Sequence, residues 1–255
     1  MSGNTNGGGG IKSDGTLFDI VELLRDLDGA GVTELAERLG VAKSTVHGHL
    51  TTLRERGFVV RRSDRYELGL QFFEYGQYVR SQLEIVESGT FAVDQLEAET
   101  REMVWLLTHQ NGQAIYVYGR SGGNDIDINT ILGTRTHMHY NSGGKAILAH
   151  LSESEVMDIV ETHGLPPRTE NTITDPERLL AELDRIRAQG YALNLSEDLS
   201  GIHAVGVPLT VDGDVQGALS VAGPAHRMPK ERCEGAVLDR LRAAMDEIDL
   251  TLAYR

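Results

Sequence analysis

The 255-residue chain has one cysteine, Cys233, and that scarcity excludes an internal disulfide and a thiolate zinc cluster. No apolar run approaches the roughly 18–20 residues that a bilayer-spanning helix needs. No basic-then-apolar leader opens the sequence, which points to the cytoplasm. Lysine is scarce as well, at four residues against twenty arginines. The 24 basic residues face 38 acidic ones, leaving a net charge of −14. An acidic surface poor in lysine suits solubility in concentrated salt, where self-repulsion is screened, so a halophilic source is expected. A GC-rich genome would explain arginine over lysine but not the acidity. Apolar side chains, at 40%, are sufficient for a core and exclude disorder throughout. The length fits one large domain or two small ones.

Such a charge argues against nucleic acid until its distribution is read. Residues 1–78 carry a net of −2 and residues 79–255 a net of −12. Between 38 and 65, Arg38, Lys43, Arg54, Arg56, Arg61, Arg62 and Arg65 face only Glu55 and Asp64, a local +5. A basic island in an acidic chain marks a surface for polyanions, unless it is simply a solvated face.

Met1 to Gly15 is rich in Gly, Ser, Asn and Thr and reads as a disordered tail over 1–15. Leu17, Ile20, Val21, Leu23, Leu24 and Leu27 recur at helical spacing, closed by Gly29 and Gly31. Thr33 to Leu39 is a short helix closed by Gly40, and Lys43 to Arg56 is a third, capped by Gly57. Phe58–Val60 and Tyr66–Leu68 read as strands joined by a turn from Arg61 to Arg65. This order is a winged helix-turn-helix, over residues 16–71. The third helix would present Lys43, Ser44, Thr45, His47 and Gly48 near its start, where hydroxyls, a lysine and free amides suit phosphate. Helix capping is the plain alternative for Ser44 and Thr45. His47 and Thr51 would reach base edges, Arg54 extends the basic face, and Arg61, Arg62 and Arg65 would grip the backbone or minor groove.

Residues 72–90 read as a linker helix. Phe72, Val79 and Val86 fall seven apart, with Tyr75 and Leu83 near matching positions, a short heptad-like stripe suited to a second subunit or to its own domain. Residues 91–255 alternate helix and strand. Phe91–Thr100 is helical; Met103–Thr108 and Ala114–Tyr118 are strands joined at Asn111-Gly112; Asp125–Leu132 alternates polar and apolar through Ile126 and Ile128. Gly144–His150 starts a helix, Ser152 with Glu155 forms a capping box, and Asp175-Pro176 opens a helix that Gly190 ends. Tyr191–Leu195, Ala204–Val211 and Val215–Val221 are strands, the last two joined by Asp212-Gly213. A closing helix carries Val237, Leu238, Leu241, Met245, Ile248 and Leu252. The pattern is an α/β domain on an antiparallel or mixed sheet.

No catalytic or cofactor motif stands out. Asn141–Ala146 resembles a phosphate loop only superficially, because His139 replaces its first glycine and Ala146 follows Lys145. His137 and His139 would share one side of an extended strand and could be joined by His203 or His226, yet no cysteine or nearby carboxylate completes a metal site. The nucleophile elbow and the zinc-protease histidine pair are absent. Glu231 and Glu234 flank Cys233 and would raise its thiol pKa rather than activate it.

The run Gly31-Val-Thr-Glu-Leu-Ala-Glu-Arg-Leu-Gly-Val-Ala-Lys-Ser-Thr-Val-His47 resembles the helix-turn-helix of the IclR family of transcriptional regulators. Leu53-Arg-Glu-Arg-Gly-Phe58 and Tyr66-Glu-Leu-Gly-Leu70 continue the likeness. His139-Tyr-Asn-Ser-Gly-Gly-Lys-Ala-Ile-Leu-Ala149, Arg187-Ala-Gln-Gly-Tyr-Ala192 and Gly217-Ala-Leu-Ser-Val-Ala-Gly-Pro224 resemble three later family segments, in order. The resemblance implies an α+β fold: an N-terminal winged helix-turn-helix, a linker helix and a C-terminal GAF-like effector-binding α/β domain. It implies dimers or tetramers on palindromic double-stranded DNA operators and a small-molecule effector, without a cofactor. Carried over by position, the effector pocket would draw on Ile128, Thr136, Asn141, Ser142, Gly143, Asn194, Ile202, Ala204, Ser220 and Ala222. The family often has an acidic residue at Asn194, cysteine or a small polar residue at Ala204 and serine at Ala222. Gly48 stands where a long side chain is frequent, and His49 where leucine is usual. Neutral Asn194 with Asn141, Ser142 and Ser220 suits hydroxyls. Free amides at the start of the Gly144 helix would suit a carboxylate, so a sugar or sugar acid is expected. The alternative is a ligand-binding signalling module whose winged helix makes protein contacts.

Overall fold

The computed structural model describes residues 10–123 and 127–253, and these divide between Gln82 and Leu83 into two compact units. The first nine residues of the expected tail, and Asp125 and Ile126, lie outside the described residues.

The first unit opens with α1 (Lys12–Asp26), α2 (Val32–Leu39) and α3 (Lys43–Glu55). α1 begins inside the stretch expected to be disordered. Extending a helix already anchored by Leu17, Ile20 and Leu24 costs little per residue, and Asp14 in the first turn complements the helix dipole. Gly40 takes a left-handed conformation (φ 65°) that ends α2 and sets the tight turn into α3. Ile20, Leu24, Leu35, Val46, Leu50 and Leu53 form one buried cluster. Strands β1 (Val59–Arg62) and β2 (Arg65–Leu68) complete the wing. They pair antiparallel with Arg62 opposite Arg65, so the turn is only Ser63-Asp64, with Ser63 at φ 56°. The three wing arginines therefore lie on strands and not in the turn expected from sequence. Helix α4 (Gln71–Ser81) follows, its Phe72 and Tyr75 packed against Phe58 at ring separations of 4.9 and 5.7 Å.

The single linker helix expected over 72–90 is two helices. α5 (Glu84–Thr100) begins after an extended Leu83 and belongs to the second unit, where Val86 is buried and Leu83 packs against the same core. The heptad-like stripe is divided: Leu83 and Val86 join the core of the second unit, whereas Val79 on α4 is exposed.

The second unit continues with β3 (Met103–Gln110), β4 (Gln113–Ser121), β5 (Arg135–His137), α6 (Ser142–Leu148), α7 (Glu153–His163), α8 (Pro176–Gln189), β6 (Ala192–Leu195), β7 (Ile202–Val211), β8 (Asp214–Pro224), a short α9 (Lys230–Arg232) and α10 (Leu238–Ala253). The sheet order is β5-β4-β3-β8-β7-β6 and every pairing is antiparallel, which resolves the choice left open by the sequence. Strand periodicity sorts the side chains into two cores. Val104, Leu106, Val205, Val207, Leu219 and Val221 pack with α5 and α10. Met103, Trp105, Leu107, Ala204, Ala218 and Ala222 face the side covered by α6, α7 and α8. Ile128–Thr130 is a 3₁₀ turn, not a continuation of the polar–apolar alternation. Among the described residues no helix is long and apolar enough to cross a membrane.

Small residues bring α6 onto the sheet. A Cβ on Gly206 would lie 2.8 Å from the Ser142 carbonyl carbon, and one on Gly143 2.7 Å from Leu107. Only glycine permits this approach of backbone to strand.

Candidate functional sites

On the first unit, α3 exposes Lys43, Ser44, Thr45, His47, Gly48 and Arg54, with Thr51 half-buried. Ala42 occupies the N-cap and no side chain caps the helix, so Ser44 and Thr45 are not spent on capping. Thr51 Oγ1 donates back to the His47 carbonyl at 2.8 Å, which ties it to the helix rather than leaving it for a base edge. On the wing, Arg61 pairs with Asp64 at 3.3 Å and Arg62 with Glu67 at 3.0 Å. Arg65 donates to the Gly29 carbonyl and lies 3.8 Å from Glu34, so it braces the wing against the turn before α2. Lys43, Arg54 and Arg56 carry no ion pair among the described residues. These surface pairs are worth about 0–1 kcal/mol each and exchange readily for a phosphate.

On the second unit, a cavity of about 170 Å³ lies between the sheet and the start of α6. Seven residues expected at the pocket line it: Asn141, Ser142, Asn194, Ile202, Ala204, Ser220 and Ala222. The other three lie outside its lining. Gly143 is turned to Leu107 and Ala218, Thr136 on β5 donates to the Tyr140 hydroxyl at 3.0 Å, and Ile128 packs on the α6-side core. Met103, Trp105, Leu107, Tyr116, Ile131, Asp198 and Leu199 complete the wall. Trp105 and Tyr116 meet edge to face, with ring centres 5.1 Å apart.

The polar groups around the cavity are largely committed. Asn141 Oδ1 accepts from the Gly144 amide at 2.5 Å and its Nδ2 donates to the His137 carbonyl. The Asn141 side chain thus caps α6 and takes the Gly144 amide, one of the amides expected to meet a carboxylate. Asn194 donates to the Tyr140 carbonyl at 2.9 Å and accepts from the Glu197 amide at 2.8 Å. Ser142 and Ser220 share one hydrogen bond of 2.8 Å. Behind this wall Lys145 is completely buried, with Nζ 2.7 Å from both Glu197 oxygens and 3.3 Å from Glu182. Burial pushes the Glu197 carboxyl up, against the opposing pull of the Lys145 ammonium.

The histidines do not form the arrangement considered from sequence. β5 ends at His137 and Met138–Tyr140 is a 3₁₀ turn, so 137 and 139 do not share an extended strand. Their rings neighbour each other and Tyr140, and His137 also neighbours His163. His139 Nε2 meets the Pro166 carbonyl at 3.2 Å and His203 Nδ1 the Met228 carbonyl at 2.9 Å, which makes both nitrogens proton donors. Burial pushes His139 down to about 4. Among the described residues no group of three His, Cys, Asp or Glu is placed to hold a metal. Cys233 is buried, and that burial pushes its thiol up to about 11.

Two family models match the chain, the IclR helix-turn-helix domain over residues 17–63 and the bacterial transcriptional regulator IclR C-terminal domain over residues 77–250. The chain belongs to the IclR family. It is 29% identical over 239 residues, covering 92% of this chain and 91% of the other, to the "Probable HTH-type transcriptional regulator ArcR" of Halobacterium salinarum. The crystal structure of Thermotoga maritima IclR superposes with a TM-score of 0.77 at 30% identity, covering 94% of this chain and 99% of that one. An IclR homolog from Microbacterium hydrocarbonoxydans, crystallised with 4-hydroxybenzoate, shares the fold at a TM-score of 0.80 and 20% identity, over 96% and 100% of the two chains.

In this IclR chain the wall residues that sequence reading missed are mostly on β3 and β4. Alternation along β3 places Met103, Trp105 and Leu107 on one face, and pairing puts Trp105 opposite Ser220 and Met103 opposite Ala222. The strand was legible, whereas this register was not. Asp198 and Leu199 sit in the loop after β6, where no periodicity marks them.

Proposed function

We propose that this IclR-family chain is a sequence-specific transcriptional regulator that binds a palindromic operator as a dimer or tetramer. A small metabolite, a sugar or sugar acid, switches it, and its targets are catabolic genes. The observation that carries the reading is one chain holding both an α3 start with uncommitted hydroxyls and Lys43 and a mixed apolar–polar cavity. The exposed Tyr75, Tyr78 and Val79, which share one face of α4, support self-association, which a single recognition helix requires for a palindrome. The composition and the Halobacterium relative support a halophilic cytoplasm. The Microbacterium homolog complexed with 4-hydroxybenzoate supports binding of a small molecule.

The test is a selection of fragments of the source genome by the purified protein in high KCl, followed by sequencing. Enrichment of a palindrome upstream of catabolic genes is expected. A folded, dimeric protein that enriches no fragment at any salt overturns the reading and leaves the winged helix as a protein-contact module.

A further inference from the structure

The cavity holds two polar groups that its own walls do not satisfy. Trp105 is buried and lines the space, and its indole N–H has no hydrogen-bond partner among the described residues. The Cε3–Cζ3 edge of that ring lies over Gly119 on β4, so the N–H edge is turned the other way, toward the β8 side. The Tyr116 hydroxyl likewise has no partner, although Tyr116 lines the same space. Buried donors are rarely left unpaired, and donors that line a cavity are open to a ligand group. The Ser142–Ser220 pair adds a third donor, because one hydrogen bond between two hydroxyls leaves one proton unused.

Among the described residues no lysine or arginine lines the cavity, and its one acidic wall residue is Asp198. Asp198 Oδ1 accepts from Arg168 Nε at 3.2 Å, and its second oxygen carries no hydrogen bond among the described residues. Lys145, the other nearby cation, is held by Glu197 and Glu182. Burial first, and the Asp198 carboxylate second, raise the Tyr116 phenol above its ordinary value, so that phenol stays a proton donor. The same field that opposes a phenolate opposes a ligand carboxylate.

We propose that the cavity takes an uncharged, hydroxylated metabolite and excludes carboxylates. One ligand hydroxyl accepts from Tyr116 and donates to Asp198, while another oxygen accepts from Trp105 or the Ser142–Ser220 pair. The inference rests on the cavity being the effector site, and it narrows the sugar-or-sugar-acid choice to the neutral class.

The test is isothermal titration of the full chain with two matched pairs: D-glucitol against D-gluconate, and 4-hydroxybenzamide against 4-hydroxybenzoate. Each pair changes little but the charge. The neutral member of at least one pair is expected to bind, with the acid at least tenfold weaker. Asp198→Asn frees Arg168 and is expected to raise the affinity for the acid about tenfold, a gain that a misfolded variant cannot produce. Tyr116→Phe is expected to weaken the neutral ligand about tenfold. Acids that bind more tightly than their neutral partners, an unchanged acid-to-neutral ratio in Asp198→Asn, or no binding by either neutral probe would overturn the proposal. Ser142→Phe separates the two levels of the argument. If it abolishes binding while acids win, only the charge class fails. If binding survives it, the reading of this cavity as the effector site fails.

Discussion

Replacing Lys145 by methionine removes the ammonium from between two carboxylates that are each only 12% exposed. Glu182 keeps Arg185, whose Nη2 is 2.5 Å from Oε2, whereas Glu197 loses its cation altogether. Stripping one partner from a buried ion pair costs about 3–5 kcal/mol, because the surviving charge stays desolvated. For a unit of this size that lowers Tm by about 10 °C. The deficit depends on pH. Burial already holds the Glu197 carboxyl above its ordinary value, and loss of Lys145 raises it further. The folded state then binds the proton more tightly than the unfolded one, so stability falls as pH rises from the unfolded carboxyl value through the folded one. Lys145→Met is therefore expected to be weakest near pH 7.5 and to recover toward pH 5, as Glu197 becomes neutral. Urea unfolding followed by fluorescence reads this directly, because Trp105 is the only tryptophan and is buried in the same unit. Lys145→Met/Glu197→Gln is expected to regain most of the loss at pH 7.5. A deficit below about 1 kcal/mol at pH 7.5, where one of about 3–5 is expected, or one that grows on acidification, would refute the account.

Arg61→Ala and Arg62→Ala are each expected to weaken DNA binding by a similar factor on every sequence, with folding stability changed by less than about 1 kcal/mol, since their ion pairs are exposed. Equal affinity for DNA in competition assays would remove the wing from the interface. The salt dependence of operator binding is expected to be shallow. Arg38, Arg61, Arg62 and Arg65 each leave behind a carboxylate that takes up a cation when the arginine turns to phosphate, so net ion release comes from Lys43, Arg54 and Arg56, and the log–log slope in KCl per protomer is about −2.7 rather than the roughly −6.3 of seven free cations. A slope near the larger value would show that the freed carboxylates take up no cation. Gly48→Ala is expected to stabilise α3 by up to about 1 kcal/mol, as a Cβ there meets nothing within 4 Å. A lower Tm would mean that the helix backbone is not regular at that point.

The helices and strands with strong local signals were readable in advance for local reasons. Ser152 and Glu155 form the reciprocal capping box, Asp175 caps α8 ahead of Pro176, and Gly190 closes it at φ 79°. Asp212-Gly213 and Asn111-Gly112 turn their hairpins with positive φ at both residues. The stretch around 72–90 misled because heptad spacing says that residues lie on one face but not which core that face meets. His137 and His139 misled for a related reason, since alternation assumes a strand that ends at His137.

Near-neighbour chemistry in the chain therefore determined the winged helix, the basic island and most strand and helix positions, while the resemblance to the family pointed to the small polar residues now found around the cavity. Tertiary structure alone decided what those residues are free to do. It paired the wing arginines with acidic neighbours, spent Asn141 on capping α6 and buried Lys145 against Glu197 from a distant loop. It also carried Trp105, Tyr116 and Asp198 to one cavity. Local pattern is set by bonds and sterics within a few residues, whereas register between strands and the pairing of remote charges depend on how the whole core closes.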